Sequence, residues 1–367
     1  MQIQKTLSEL IAAKIVFTDV YVRTGEPMRA RTPSGWVAVN KDDVTREDMQ
    51  SFLKIVAGQD WEAKLKASPT LSLDIAKTIG GSARLRCNIA YSGSPEEVID
   101  HQPTDDITIS IRKLSLVPPD FSELGLPARL LQDMLSKKGL WIVTGPTGNG
   151  KSTTLASVLQ YMNANQSSHI VTIEQPIEYI LRPQKSIISQ KEVGNHVPSF
   201  NAGLIAAMRQ RPDVILIGEV RDQDTMETLL QAGESGHLVL ASLHTKNAVD
   251  AITKVTGFLQ GSGSTSNKLN TLASIMVGVV AQNLVPSADG KNLVLAYEIL
   301  MNTPEVAQLI RREEFQKLPN ALEAGRKAGS VPLNDRLKEL LMMKKIKDAT
   351  ADAVSNDPLA LNKEKYA

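Results

Sequence analysis

The stretch LWIVTGPTGNGKSTTLASVLQYM, residues 140–162, decides the fold of this chain. It opens with an apolar run that predicts a buried strand, and it ends with apolar residues at helical spacing that predict a helix. The glycine-rich part between them, residues 145–152, fits the pattern G-x-x-x-x-G-K-[ST]. A strand, a glycine loop and a helix in this order are the context that the pattern requires, which argues against a chance glycine-rich turn.

The glycine loop predicts a site for the phosphates of a nucleotide. In this motif backbone N–H groups surround the phosphates, the lysine, here Lys151, reaches the outer ones, and the hydroxyl of Ser152 binds Mg²⁺. The phosphates then lie at the N-terminus of the helix, where amides and the helix dipole favour anions. We therefore expect ATP and Mg²⁺ as cofactors. The predicted nucleotide-binding residues are Gly145, Pro146, Thr147, Gly148, Asn149, Gly150, Lys151, Ser152 and Thr153.

Composition narrows the class of protein. A length of 367 residues, 42% of them hydrophobic, is enough for about two or three domains with their own cores. The 41 basic and 40 acidic side chains give a net charge of +1, so we expect no direct binding to nucleic acid. The single cysteine, Cys87, excludes an intramolecular disulfide, and we expect it to be a small buried hydrophobe rather than a nucleophile.

Two stretches of the chain could be taken for membrane-inserting segments, and neither has the pattern of one. The N-terminal stretch MQIQKTLSELIAAKIVF is interrupted by charges and has amphipathic spacing, so it predicts no signal peptide. The longest uncharged run, residues 269–288, contains polar residues and Pro286. It predicts a buried helix ending near Pro286 rather than a membrane span. We expect a soluble, cytoplasmic protein with no transmembrane segment.

The chain divides by pattern into several parts. Residues 1–115 predict a mixed α+β domain with an antiparallel sheet, and two adjacent prolines mark residues 116–135 as a linker. Residues 136–300 alternate strand and helix, which indicates a parallel sheet covered on both faces. Within them residues 261–267, GSGSTSN, predict a flexible loop. Residues 301–367 predict a C-terminal helical segment.

Ionisable side chains follow three of the predicted parallel strands. Glu174 follows the run HIVTI, Glu219 follows VILIG, and His244 follows LVLASL. In an open parallel sheet the ligand lies beyond the carboxyl ends of the strands, the edge that also holds the glycine loop. Each residue alone is a weak signal, but together they predict the γ-phosphate side of an ATPase.

Glu219 is the candidate that positions and polarises the attacking water, because phosphoryl transfer leaves the protein mainly positioning and electrostatic work. Asp213 precedes its strand and would lie about 15 to 20 Å from the phosphate edge, so we expect a structural role. Gly218 stands where a Walker-B aspartate is usual. This leaves more of the Mg²⁺ coordination to Ser152 and to water, with Glu174 a candidate to hold one water.

Two histidines raise the possibility of zinc. His237 and His244 are separated by seven residues of extended chain, about 23 Å, which is too far for one ion. We therefore expect no zinc site, and we interpret His244 as a sensor on the phosphate side.

Four segments, GPTGNGKSTT, TIEQPIEYI, RPDVILIGEVRD and GHLVLASLHT, resemble the Walker A, Asp box, Walker B and His box of the PilT-like branch of the type II and type IV secretion ATPase superfamily. FTDVYVRTGEPMRA is similar to the family's PAS-like N-terminal domain and ARLRCNIAY to its arginine-bearing strand. GVVAQNLVPSADG and LAYEILMNTPEVAQLIR are similar to its C-terminal helices. The resemblance implies an α/β fold: a RecA-like P-loop ATPase domain with a smaller PAS-like α+β domain.

The resemblance also implies a function. It implies a homo-hexameric ATPase at the cytoplasmic base of an envelope machine, peripheral to the inner membrane, with a platform protein or secretion components as partners. The nucleotide would lie between the two domains, and arginines of an N-terminal domain would reach its phosphates. Arg84, Arg86 and Arg112 occupy the matching strands, and such an arginine contributes about 10³ to 10⁵ in rate. The alternative is that they are ordinary surface arginines.

Departures from the family pattern leave undecided which envelope machine the ATPase serves. Gln175 stands where pilus retraction motors usually carry aspartate, and NHVPSFNAGLIAAMRQRP resembles the type IVB secretion and conjugation ATPases called DotB and TraJ. Pilus retraction, protein secretion and conjugative transfer are therefore all candidates. Two other classes are a nucleotide-gated assembly switch, against which Glu219 and the arginines argue, and a RecA-like DNA motor, which the net charge does not favour.

Overall fold

The computed structural model describes residues 2–12, 17, 19–32, 35–79, 83–92, 106–114, 116–260 and 265–361. The chain forms two compact units. The first comprises Met1–Val117 and Pro176–Ile180, and the second comprises Pro118–Gln175 and Leu181–Ala367. Pro176–Ile180 therefore leaves the second unit in the middle of its sequence, joins the first, and returns. We call it the crossing segment.

The first unit is built on an antiparallel sheet with strand order β3-β2-β1-β6-β5-β4. Its strands are β1 (Asp19–Arg23), β2 (Arg29–Thr32), β3 (Gly35–Ala38), β4 (Ser72–Ile79), β5 (Ala83–Tyr91) and β6 (Ile107–Leu114), and its helices are α1 (Gln2–Ala12), α2 (Arg46–Ala57) and α3 (Trp61–Ala67). Alternate residues of β6, among them Ile109 and Ile111, enter the core as a half-buried strand requires. Thr45 caps α2 by accepting a hydrogen bond from the amide of Asp48.

The second unit contains a sheet with strand order β13-β12-β7-β11-β10-β8-β9. Its strands are β7 (Gly139–Thr144), β8 (His169–Glu174), β9 (Ile187–Glu192), β10 (Val214–Ile217), β11 (Leu238–Leu243), β12 (Met276–Pro286) and β13 (Leu293–Met301). All neighbours pair in parallel except β12 and β13. Leu140 and Ile142 of β7 belong to one buried cluster, and Trp141 and Val143 belong to another. Both faces of the sheet are therefore covered, as predicted.

Helices surround this sheet. They are α4 (Ala128–Ser136), α5 (Lys151–Asn165), α6 (Phe200–Met208), α7 (Gln223–Glu234), α8 (Ala248–Leu259), α9 (Thr265–Ile275), α10 (Pro304–Arg311), α11 (Leu318–Ala324), α12 (Leu333–Met342), α13 (Asp348–Val354) and α14 (Pro358–Leu361), with 3-10 turns at Phe121–Leu124, Phe315–Lys317 and Gly325–Ala328. Pro304 is the first residue of α10, directly after the cap Thr303, where its missing N–H is not needed. Within the ranges that the structure describes, no helix is long and apolar enough to cross a membrane.

The apolar run 269–288 is not a single buried helix, and that prediction was wrong. Helix α9 ends at Ile275, and β12 continues to Pro286 between β7 and β13. The same correction applies to the segments assigned to C-terminal helices, since LAYEILM lies in β13 and only the residues after it form α10. The cause is physical: a short apolar run buried on both faces has the same hydropathy pattern as a strand or as a helix.

Residues 116–135, which the prolines mark as a linker, include side chains that pack in the core of the second unit. Phe121, Leu130 and Met134 are buried in the second unit, and the Ser157 hydroxyl of α5 donates to the carbonyl of Pro119 at 2.7 Å. In the predicted flexible loop, residues 261–264 lie outside the described residues, whereas 265–267 begin α9. Turn-forming residues at a helix start mimic the composition of a loop.

Candidate nucleotide-binding site

The glycine loop leaves the end of β7 and enters α5. Gly145 has φ +149°, and a Cβ built there would lie 2.4 Å from the carbonyl oxygen of Gln282 in β12, so glycine is required at this position. Gly150, with φ +79°, is the N-cap residue of α5. A glycine cap has no side chain with which to bind the first-turn amides, so those amides suit a bound anion. The hydroxyl-bearing Ser152 is exposed in that same turn.

The ammonium group of Lys151 points toward the backbone carbonyls of the glycine loop. The residue is only 7% exposed. Its Nζ donates to the carbonyl oxygens of Gly145 and Pro146 at 2.8 and 3.0 Å, and it lies 3.2 Å from Nδ1 of His244. The structure therefore brings two residues 93 positions apart in the sequence to the same place.

Residues of strand β12 form hydrogen bonds with the glycine loop and with the first turn of α5. The side-chain oxygen Oδ1 of Asn149 accepts from the backbone amide of Leu284 at 2.6 Å, and the side-chain nitrogen of Gln282 donates to the hydroxyl of Thr154 at 2.7 Å in a buried contact. Sequence patterns do not single out Gln282 or Thr154. The apolar run that contains Gln282 fits a helix as well as a strand, so no local signal places Gln282 beside the loop.

His244 joins Lys151 to Glu219. Its Nε2 lies 3.4 Å from a Glu219 carboxylate oxygen, on the opposite side of the ring from Lys151. An ammonium group can only donate, so Nδ1 must be the accepting nitrogen, and the neutral ring then carries its proton on Nε2, toward Glu219. Burial, and then the positive charge of Lys151, lower the pKa of His244 below its ordinary value, while Glu219 acts in the opposite direction. The ring is therefore neutral at pH 7.

Glu219 has a second partner that the sequence motifs do not single out. Nε of Arg221 donates to its carboxylate at 2.6 Å, and the same guanidinium approaches with a second nitrogen at 2.6 Å. The signal was present in the sequence, since Arg221 stands two residues after Glu219 in GEVRD. The side chains of Glu219 and Arg221 are 21% and 56% exposed, so this ion pair lies at the surface of the site.

Glu174 ends β8 beside Gly218. The register pairs Ile173 with Ile217, and a Cβ on Gly218 would lie 3.2 Å from both the Glu174 Cα and the Ile173 carbonyl oxygen. An aspartate at 218 would therefore require a backbone shift. The Glu174 carboxylate accepts from the hydroxyl of Thr172 at 2.6 Å and from the amide of Gln190 at 3.2 Å.

Asp213 and His237 lie at the opposite, amino end of the strands. The Asp213 carboxylate accepts from the amide of His169 at 2.8 Å, which joins the starts of β8 and β10 as a structural residue would. Nδ1 of His237 donates to the carbonyl of Ala232 at 2.9 Å. Among the described residues no group of His, Cys, Asp and Glu is arranged to hold a metal ion without further ligands.

The three candidate arginines each have a partner within the first unit. Arg84 is 7% exposed and donates twice to the carbonyl of Ile177 in the crossing segment, at 2.9 and 2.6 Å. It is therefore not an ordinary surface arginine. Arg86 pairs with Asp74 at 2.8 Å and with Glu178 at 3.2 Å, and its hydrogen bond to Asp74 raises the pKa of Arg86 above its ordinary value.

Arg112 and Cys87 complete the predicted residues of the first unit. Arg112 pairs with Asp19 at 2.8 Å and is half exposed. Cys87 is buried, and burial raises the pKa of its thiol to about 12, so it packs as a hydrophobe and is unsuited to act as a nucleophile.

A parallel α/β sheet, a glycine loop at the start of a helix, and a lysine, histidine and glutamate gathered at the same strand ends define a P-loop nucleotide-binding protein. Residues 48–355 match the family described as Type II/IV secretion system protein. The chain belongs to this family.

Individual relatives agree with this assignment. The type IV pilus ATPase PilU of Pseudomonas aeruginosa is 39% identical over 346 residues, which cover 94% of this chain and 87% of the relative. The crystal structure of the pilus retraction motor PilT with bound ADP has a TM-score of 0.84 and 33% identity, and it covers 98% of this chain and 99% of the other. The ATPase DotB of Legionella pneumophila has a TM-score of 0.77 over 96% of this chain and 94% of the other; at 21% identity it shows the fold alone. The predicted fold class and the resemblance to PilT-like ATPases are confirmed.

Proposed function

We propose that this chain hydrolyses ATP and works as a homo-hexameric motor of the PilT and PilU type, driving retraction of a type IV pilus. The observation that carries the proposal is the contact series from Lys151 through His244 to Glu219, directly above the glycine loop. A relative named as a type IV pilus ATPase and a solved structure named as a pilus retraction motor both match nearly the whole chain, and this supports the choice of machine.

The loop residues 145–153 fit a nucleoside triphosphate. The close approach of Gly145 to β12 and the glycine cap of α5 leave backbone amides, rather than side chains, to meet the phosphates. We propose that the Lys151 ammonium exchanges the carbonyls of Gly145 and Pro146 for oxygens of the outer phosphates. The exposed hydroxyl of Ser152 would hold Mg²⁺, which when bound neutralises charge on the phosphates during transfer.

Two carboxylates would divide the remaining work. Glu219 would orient and polarise the attacking water, with His244 and Arg221 fixing the position of its carboxylate. Glu174 would hold a water of the metal, since it lies at the end of the neighbouring strand and Gly218 offers no carboxylate. His244 would sense the state of the phosphates through Lys151.

An arginine of the first unit would supply further positive charge to the phosphates. Arg84, Arg86 and Arg112 are the candidates, and we rank Arg112 first because its side chain is 51% exposed while that of Arg86 is 32% exposed. We further propose domains at 1–115 and 136–300, and an inner-membrane platform protein as the partner at the cytoplasmic face.

The departure at Gln175 favours a second candidate, transfer through a type IVB secretion or conjugation machine, because the retraction motors usually carry aspartate there. Deleting the gene and imaging pili separates the two. Pili that extend but fail to retract would support the motor proposed here, whereas normal retraction with lost substrate transfer would support the second.

Hydrolysis itself is tested by phosphate release from the purified protein with ATP and Mg²⁺. We expect turnover in the wild-type protein and none in Lys151→Ala. Tight ATP binding without turnover in the wild type would instead indicate a nucleotide-gated switch. Turnover retained in Lys151→Ala would overturn the site.

A further inference from the structure

The side chain of Gln190, in β9, forms hydrogen bonds with two groups that no sequence motif places together. Its side-chain oxygen accepts from the backbone amide of Leu181 at 2.9 Å, and its side-chain nitrogen donates to the Glu174 carboxylate at 3.2 Å. Only one orientation of the amide satisfies both contacts, because a backbone N–H cannot accept and a carboxylate cannot donate. The Gln190 side chain is therefore fixed from both ends.

Leu181 is the first residue after the crossing segment. Hydrogen bonds and an ion pair bind that segment to other residues of the first unit. Arg84 binds the carbonyl of Ile177 with two nitrogens, Arg86 pairs with Glu178, and the amide of Ile180 donates to the carbonyl of Leu116 at 3.2 Å. The chain leaves the second unit directly after Glu174 and Gln175, and it returns at the residue that Gln190 binds. Gln190 thus connects, by two hydrogen bonds, Glu174 shortly before the crossing segment with Leu181 directly after it.

We propose that Gln190 is a positioning residue, which orients the Glu174 carboxylate and ties that orientation to the backbone at Leu181. Thr172 and Gln190 both donate to the same carboxylate oxygen, and two donors on one oxygen fix the rotation of the group. The inference rests on the proposed function, since it requires Glu174 to act at the phosphate edge. It assigns Gln190 no contact with nucleotide.

The first test replaces Gln190 by alanine. Removing an outer-shell partner of a metal site costs about 10- to 100-fold in metal affinity or activity, so we expect kcat for phosphate release to fall at least about tenfold with KM for ATP little changed. Ser189→Ala is the matched control, because Ser189 lies on the same strand and its hydroxyl contacts His169 at 3.3 Å instead. Its kcat should remain that of the wild type.

The second test is Gln190→Glu, which keeps the acceptor for Leu181 and the size of the side chain. It replaces the donor by a second carboxylate next to Glu174, and like charges raise the pKa of a carboxyl group. The acid limb of the kcat against pH profile should therefore move to higher pH. A merely structural weakening of β9 would lower the melting temperature but would not move this profile.

A double-mutant cycle decides whether Gln190 acts through Glu174. Adding Gln190→Ala to Glu174→Gln should cause no further loss of kcat. An equal loss in both backgrounds, or an unmoved pH profile in a folded Gln190→Glu protein, would overturn the inference. Wild-type protein without any turnover would refute the proposed function instead, whereas active wild type with equally active Gln190 variants refutes only the role of Gln190.

Discussion

Replacing Glu219 by glutamine separates hydrolysis from binding and from stability. The substitution keeps the size of the side chain and removes its charge. The Glu219–Arg221 pair is partly exposed, and pairs of this kind contribute about 0 to 1 kcal/mol to the free energy of unfolding. Loss of one preorganised electrostatic group at a reacting centre costs about 10² to 10³ in kcat, which is about 2.7 to 4 kcal/mol. We therefore expect activity to collapse while the protein stays folded.

The same variant should also alter His244. Glu219 is the anion that raises the pKa of His244 against burial and Lys151, so its removal should lower that pKa further. Titration of the His244 ring by NMR in wild type and Glu219→Gln measures this shift. An unchanged or raised pKa would mean that the 3.4 Å contact does not exist in solution.

Steady-state phosphate release and nucleotide affinity should be measured on the same oligomer. ATP binding through Lys151 and the loop amides does not depend on the Glu219 charge, and removing an anion near the triphosphate tightens rather than weakens it. The expected result is an ATP-loaded, inactive assembly. Near-normal turnover would transfer the water-activating role to Glu174, and loss of affinity in place of turnover would make Glu219 a binding residue.

Three further predictions follow from individual residues. Arg221→Ala should lower kcat because Glu219 loses the guanidinium that fixes it, with ATP affinity retained; equal turnover in the variant and the wild type would exclude that role. The lowered pKa of His244 means that the unfolded chain binds the proton more tightly, so the free energy of unfolding should fall as pH decreases through the ordinary value of 6.5. In denaturant melts this fall should be smaller in His244→Gln than in the wild type, whereas above pH 6.5 the two free energies should run parallel with pH. Cys87, buried and with its pKa near 12, should resist a thiol reagent at pH 8 until the protein is unfolded; fast modification of folded protein would contradict its burial.

The parts of the site that could be predicted are those encoded in contiguous sequence. The glycine loop carries its own strand and helix signals, and parallel strands present their carboxyl ends at one edge, so Glu174, Glu219 and His244 could be placed together in advance. The structure adds which of them touch: His244 contacts Glu219 and Lys151, whereas Glu174 is held separately by Thr172 and Gln190.

The parts that could not be predicted depend on pairings across the chain. The placement of β12 beside β7 brings Gln282 to Thr154, 128 residues away in sequence, and hydropathy alone does not separate this strand from a helix. Arg84 was recognisable as a candidate from its strand, but its contact with Ile177, 93 residues away, depends on an excursion of the chain that no local pattern signals. Long-range contacts of this kind are set by topology rather than by local propensity.

The two carboxylates at the phosphate edge are held by different kinds of force. Glu219 is held by a charged, partly exposed guanidinium, an interaction that salt screens and that leaves side-chain freedom. Glu174 is held by a neutral hydroxyl and a neutral amide, whose directional hydrogen bonds do not depend on ionic strength in the same way. Because the side-chain amide of Gln190 is in turn fixed by Leu181, Glu174 follows the backbone, whereas Glu219 can respond to the charge of Lys151 through the neutral ring of His244 between them. In the proposed site, this difference suits Glu174 to orient a water of the metal ion and Glu219 to act only once the outer phosphate has engaged Lys151.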